Sequence, residues 1–340
     1  MKWNSNKILG CLTGAAVGDA MGAATELRTK EMIKEKFGGK VTTILNPPDD
    51  TFARGARAGT VTDDFSLLYY TAKAILDHDG IIEEKAAEEA LLNWSEDKRF
   101  YDQYAGPTTK AAVERIKGRA VSNYYDFICC DNAKASNGSA MKIAPAGIFN
   151  PGNLDKAVED AITICRPTHN NNLSIAGACA IAAAVSEAMR EEADVYSVVQ
   201  AGFYGAKRGA KLCKGSCAVL AGPDVIKRMK MAVTIGMMAE NVDEATTEIA
   251  DMVGSGLHIA EAVPAVFGIL VAAKGNLKDC IIAAVNIGSD TDTIACMVGA
   301  IAGALRGPDD FAGEYLDLIE SVNGFAIKKM AGEIAGCLEG

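Results

Sequence analysis

Glycine recurs at every fourth position through the first apolar segment, at Gly10, Gly14, Gly18 and Gly22, and again near the other end of the chain, at Gly299, Gly303 and Gly307. Residues four apart share one face of a helix. A helix whose face carries no side chains lets a second backbone approach closely. Each interior glycine costs about 1 kcal/mol relative to alanine, so a run of them needs a packing reason. We expect the two glycine-faced helices, the first over 6–21, to lie near each other in the core. Spacing alone leaves open that each packs elsewhere.

Helical periodicity continues between them. It predicts helices over 63–78, 83–94, 107–118, 154–165, 171–190, 194–208, 223–239, 243–253, 262–274 and 276–287. Pro223 and Asp224 suit a first turn, Asn276 a cap, and Gly288 a C-terminus. No alternating strand pattern stands out. Only 6% of residues are aromatic while alanine and glycine abound, which suits closely packed helices. The longest irregular stretch, 38–59, contains NPPDD and RGARAG and reads as a surface loop. A chain of 340 residues allows two domains. Without a linker or repeat, one all-α domain over 1–340 is the expectation.

A net charge of -10 excludes a general basic footprint for nucleic acid. Lys207, Arg208, Lys211 and Lys214 stand at helical spacing and read as a solvated face. Among ten cysteines, neither the adjacent Cys129 and Cys130 nor Cys213 and Cys217 form a zinc framework. Cys165, Cys179, Cys280 and Cys296 sit in apolar runs and read as small core residues. Reduced thiols and a cytoplasmic setting are expected. The opening MKWNSNKILG does not read as a signal peptide, and the apolar stretch 173–185 is short for a membrane span. We expect neither membrane nor nucleic acid as a partner; oligomeric state is left open.

Two acidic clusters carry the chemistry. In GTVTDDFSLL, Thr62 can cap a helix with Asp63 and Asp64 in its first turn, and capping alone would account for that segment. In NIGSDTDTIACMVGAIAGA, Asp290, Thr291, Asp292 and Thr293 precede a buried-looking run. One cap needs one such residue, and desolvating the others is expensive. A bound cation, a dense hydrogen-bond network or an exposed loop would each explain them. Oxygen donors without nearby His or Cys favour Mg²⁺ or Mn²⁺ over zinc, with Ca²⁺ not excluded. Asp19 inside the first apolar helix reads as a buried acceptor, and Glu26 as an acid just past its end. Asn137-Gly138-Ser139 is either a plain turn or a cradle of backbone N–H groups for a phosphate. His169 falls in a polar loop, PTHNNN, while His78 and His258 look like loop or helix-end residues.

In this order, GCLTGAAVGDAMGAATE, GTVTDDFSLL, NGSAMKIAPAGI, the His169 segment and IGSDTDTIACMVGAIAGALRG resemble the ADP-ribosylglycohydrolase family, which includes the dinitrogenase reductase-activating glycohydrolase. The likeness runs from about Lys7 to Gly307, and the last motif is the most specific. It implies a large orthogonal multi-helix all-α domain holding two divalent cations, Mg²⁺ or Mn²⁺. By motif match, Thr62, Asp63, Asp64, Asp290, Asp292 and Thr293 surround the metals, with Asp292 touching both. Glu26, Asp63 and Asp64 are the catalytic candidates. Asn137, Gly138, Ser139, Met141, His169, Gly288 and Ser289 would lie along the substrate. Three departures stand out: Ser289 where a second glycine is usual, Phe65 where a small hydroxyl residue is frequent, and Lys142 where arginine is common.

The implied reaction is hydrolysis of a ribosyl N- or O-glycosidic bond, through an oxocarbenium-like state that nearby carboxylates stabilise. The substrate would be an ADP-ribosylated protein or a small ADP-ribosyl compound. The alternatives are a ribosidase for smaller nucleoside-like molecules, a non-catalytic ADP-ribose binder or crystallin-like structural protein, and a metal phosphoesterase. Which group activates the water is left open.

Overall fold

A computed structural model describes residues 5–121 and 130–339; Cys129 lies outside them. The chain folds into helices α1 (Ser5–Gly22), α2 (Lys30–Phe37), α3 (Asp63–Asp77), α4 (Glu84–Glu96), α5 (Lys98–Tyr104), α6 (Pro107–Ile116), α7 (Ala144–Ile148), α8 (Leu154–His169) and α9 (Asn172–Ala188). There follow α10 (Val195–Leu212), α11 (Val225–Met238), α12 (Val242–Met252), α13 (Ile259–Ala272), α14 (Leu277–Val285), α15 (Thr291–Arg306), α16 (Asp310–Asn323) and α17 (Ile327–Glu339). Two isolated bridges, Ser136 with His258 and Asn171 with Ala218, are the only β pairing among the described residues. None of the described helices is long and apolar enough to cross a membrane.

Four helices, α1, α9, α13 and α15, are buried on nearly every side. A helix apolar all round belongs in an interior, and these four form the centre. The outer helices bury one stripe each: in α10 this is Val195, Val198, Val199, Gly202, Gly205, Ala206 and Gly209.

The two glycine-faced helices do pack together. A Cβ added at Gly10 would strike the Gly303 carbonyl, one at Gly14 that of Gly299, and one at Gly18 that of Ala295, each closer than 3.0 Å. Backbone touches backbone along the whole seam. A second glycine seam went unread in the sequence: Gly205 sits on the Cys179 carbonyl and Gly202 on the Phe267 ring. The buried Lys7 ammonium ties the far ends of the centre. It donates to the carbonyls of Ala188 (2.7 Å), Arg190 (2.7 Å) and Leu305 (3.3 Å), pairing groups that the ends of α9 and α15 leave without partners.

Three expectations need correction. The helix read over 154–165 continues to His169, so that histidine ends a helix instead of lying in a loop. Pro167 sits in the last turn of α8, where it withdraws the N–H that would have reached the Thr163 carbonyl and the helix ends two residues later. The short α2 and α5 bury one residue each, Ile33 and Phe100, and so have no period to read. The C-terminal α16 and α17 were also missed, although Ala312, Leu316 and Ile319 make a legible buried stripe. The 38–59 segment has no regular helix, as expected.

Candidate metal centre

The glycine seam delivers the first two carboxylates. At its upper end, a Cβ on Gly22 would lie 2.6 Å from the Asp292 nitrogen, so the last turn of α1 rests on the first turn of α15. Thr291 fastens the joint by donating to the Gly22 carbonyl (3.0 Å), and Thr25 by donating to the Val285 carbonyl (2.7 Å). Asp19 leaves α1 one residue after Gly18, and Asp292 lies in the first turn of α15.

Asp19 then recruits the third element. Its fully buried carboxylate accepts from the amides of Thr62 (3.0 Å to each oxygen) and Phe65 (2.8 Å), at the start of α3. Thr62 caps α3 through the Asp64 amide, and its hydroxyl donates to Asp64 Oδ2 at 2.8 Å. The other Asp64 oxygen, Oδ1, is buried with no hydrogen-bond partner among the described residues.

Glu26 is held by a reciprocal backbone pair. Leu27 N donates to the Ser289 carbonyl and Ser289 N to the Arg28 carbonyl, both at 2.8 Å. Leu27 and Ser289 both have left-handed φ, at 60° and 64°. The usual glycine at the second position therefore has a backbone reason, and Ser289 meets it with strain. Gly288 (φ 96°) allows the turn to press against Arg28 and Lys30. The Arg28 guanidinium donates to the Glu26 carbonyl (2.9 Å) and to Asp50, tying this turn to the 38–59 loop.

Two groups of carboxylates result. Donor oxygens of Asp19, Asp64 and Asp292 all lie within 4.8 Å of one another, and so do those of Glu26, Asp290 and Asp292. Asp292 belongs to both. Asn137 donates its side-chain amide to Asp290 Oδ2, which brings the 137–139 turn to the same place. Burial, then the charges of Asp290, Asp63 and Asp19, carry Glu26 up to about 8. Burial, then Asp19, carries Asp63 to about 7. Burial carries Asp19 to about 7 against its two amide hydrogen bonds, and holds Asp64 and Asp292 well above the usual carboxylate range. So many buried like charges, with an orphan oxygen among them, require protons or cations. The all-oxygen donor set fits a hard divalent ion.

The other expected residues fall around this centre. Asp63 is half-buried and outside both groups, though its charge reaches Glu26. Thr293 is buried, and its amide donates to Asp292 Oδ1 at 3.0 Å. Ser139 is buried and turns its hydroxyl to the Ser174 carbonyl (3.2 Å). Met141 is buried. His169 is buried beside Gly138, where an added Cβ would come within 3.1 Å of its Cε1. Phe65 does not face the centre: only its amide reaches Asp19, while its ring packs on Phe325 at 6.0 Å. Sequence reasoning did not select Tyr104, at the end of α5. The charges of Asp19, Asp292, Asp63 and Glu26 help burial push its phenol well up. Nothing local in the sequence marks it.

Residues 3–338 match the ADP-ribosylglycohydrolase family. The chain is 29% identical to the uncharacterized protein YegU of Escherichia coli (strain K12), over 97% of each. It is 23% identical to the ADP-ribosylarginine hydrolase Tri1 of Pseudomonas putida (strain GB-1), over 91% of this chain and 73% of that protein. A solved structure described as an ADP-ribosylglycohydrolase-related protein complex superposes with a TM-score of 0.68 at 22% identity, over 99% of both chains.

Proposed function

The chain belongs to the ADP-ribosylglycohydrolase family, whose members are hydrolases acting on glycosyl bonds, and on that premise we propose that it removes ADP-ribose from a modified side chain or small ADP-ribosyl compound, using a pair of Mg²⁺ or Mn²⁺ ions. The observation that carries this reading is the pair of buried carboxylate groups meeting at Asp292. The name of the Pseudomonas putida relative makes arginine the first aglycone to test.

Asp19, Asp64 and Asp292 would hold one cation and Glu26, Asp290 and Asp292 the other, with Thr62, Asp63 and Thr293 at their edge. Bound there, the cations would supply Lewis-acid orientation of the ribose hydroxyls and of a water. The protein's own part is electrostatic and protonic. Fixed carboxylates stabilise positive charge at the anomeric carbon as the aglycone departs. Glu26, beside Asp290 and Asp292, is a candidate to take a proton from the attacking water. Asp63, half-buried and outside both donor groups, is the other candidate. Asn137 fixes Asp290 and presents the 137–139 turn to the sugar.

The test is release of ADP-ribose from ADP-ribosyl-arginine and ADP-ribosyl-serine with added Mg²⁺ or Mn²⁺. Release that needs the metal supports the reading and identifies the aglycone; no release from either substrate, with metal bound, overturns it. At saturating metal, Glu26→Gln should lower kcat by about 10²-fold or more. An unchanged kcat would transfer the proton to Asp63 or another group.

A further inference from the structure

Lys142 is only 2% exposed, yet its ammonium finds one hydrogen-bond acceptor among the described residues, the Thr168 hydroxyl at 2.9 Å. Thr168 Oγ1 lies 2.9 Å from His169 Nδ1, and His169 Nε2 lies 2.8 Å from Ser136 Oγ. The four groups run in single file from a buried cation to the residue before Asn137, whose amide holds Asp290.

The direction of each bond follows. An ammonium only donates, so Thr168 accepts from Lys142. The single Thr168 hydrogen can go to His169 Nδ1 at 2.9 Å or to the Cys165 carbonyl at 3.5 Å. The longer contact lies beyond ordinary O–H···O range. An Nδ1–H dipole aimed at an oxygen already bound to an ammonium would also be opposed by that charge. Both arguments send the hydrogen to Nδ1. The ring is neutral, because burial and then Lys142 push His169 down to about 3. A neutral imidazole carries one N–H, here on Nε2, and it donates to Ser136. The Ser136 hydroxyl has no other partner among the described residues, so its hydrogen is free. The ring plane is set by packing on Gly138, where a Cβ would come within 3.1 Å of Cε1.

We propose that Lys142 and Thr168 are positioning residues that hold His169 as the Nε2–H tautomer and thereby offer the Ser136 hydroxyl as a donor to an acceptor oxygen of the substrate seated over Asn137 and Gly138. The substrate half of this inference rests on the functional reading above; the tautomer half does not. Ser136 thus joins the binding surface although no motif selects it, and lysine does at this position what a donor-bearing arginine could also do.

The experiment is nitrogen NMR on metal-free protein labelled in its histidine rings. There are three histidines, and His169→Gln identifies the His169 signals. The wild type should give an Nε2–H ring with Nδ1 as acceptor. Thr168→Val should move the Nδ1 signal and admit a resolvable Nδ1–H fraction; Thr168→Ser should restore the original pattern. Lys142→Met and Lys142→Arg should act as the corresponding pair. In the presence of Mg²⁺, Thr168→Val should weaken binding of free ADP-ribose by about tenfold, with Thr168→Ser close to wild type. An Nδ1–H ring in the wild type, or a His169 spectrum unmoved by Thr168→Val, overturns the chain of bonds. A moved tautomer with unchanged ADP-ribose affinity overturns the role given to Ser136. If the wild type fails to bind ADP-ribose at all, the functional reading falls and the spectrum still decides the tautomer.

Discussion

Asp292→Asn should reduce metal-dependent turnover by about 10³-fold or more, while the metal-free protein becomes less sensitive to rising pH. Asp292 is the one carboxylate common to both donor groups, so an amide there weakens both cation sites. Losing several kcal/mol of charge stabilisation in the transition state corresponds to a rate loss of this order. The stability effect has the opposite sense. The folded state raises the pKa of Asp292 and its neighbours, through burial first and then the charges of Glu26, Asp64 and Asp290. A carboxyl raised on folding is favoured in its neutral form. The cluster's contribution is therefore complete below the unfolded values near pH 4 and is lost as pH rises towards the folded values, about 7 for Asp19 and Asp63 and about 8 for Glu26. Metal-free wild type should lose Tm between pH 5 and 8, and Mg²⁺ or Mn²⁺ should restore it at pH 8. The variant, with one fewer acid in the cluster, should show a shallower loss and a smaller rescue. Near-wild-type turnover, or a Tm that metal does not raise at pH 8, would count against the cation assignment.

What could be read from the sequence is what short-range chemistry writes into it. Glycines four apart have one physical use in a buried helix, and they marked both partners of the seam between α1 and α15. The acidic cluster at 290–293 was legible because too many carboxylates preceded too apolar a run, whereas Thr62-Asp63-Asp64 by itself read as a helix cap. Convergence was harder. Asp19 read as a buried acceptor, which it is towards Thr62 and Phe65; that it also shares a donor group with Asp64 and Asp292 depends on three helices meeting. Tyr104 and Ser136 meet neighbours distant in sequence, the acidic cluster and His169, and leave no local signature. His169 was read as a loop residue, whereas it ends α8, whose last turn accommodates Pro167. The departures also divide on tertiary grounds. Phe65 belongs to the core beneath α3, Ser289 meets a backbone requirement, and only Lys142 connects to a proposed binding residue.

Gly18→Ala should cost more than about 3 kcal/mol, and Gly332→Ala should gain about 1 kcal/mol, although propensity alone favours alanine at both. Gly332 lies in the exposed part of α17 with nothing within 4 Å of an added Cβ, so only the helix preference remains. At Gly18 the same atom would fall inside 3.0 Å of the Ala295 carbonyl oxygen and carbon and 2.9 Å from the Cys296 nitrogen. These are backbone atoms of a helix buried on every side, so no rotamer change relieves the overlap. The two helices must separate, and the loss extends along a seam that buries Gly14 and Gly299 against each other by the same means. Separation also moves Asp19 from Asp292, since Asp19 follows Gly18 directly and Asp292 lies in the first turn of α15. Denaturant unfolding of the two variants, with metal titration of whatever folded Gly18→Ala remains, reads both effects. Stability near wild type in Gly18→Ala would mean that the seam can open without cost. Lost stability with intact metal affinity would mean that the seam holds the fold but not the spacing of the carboxylates.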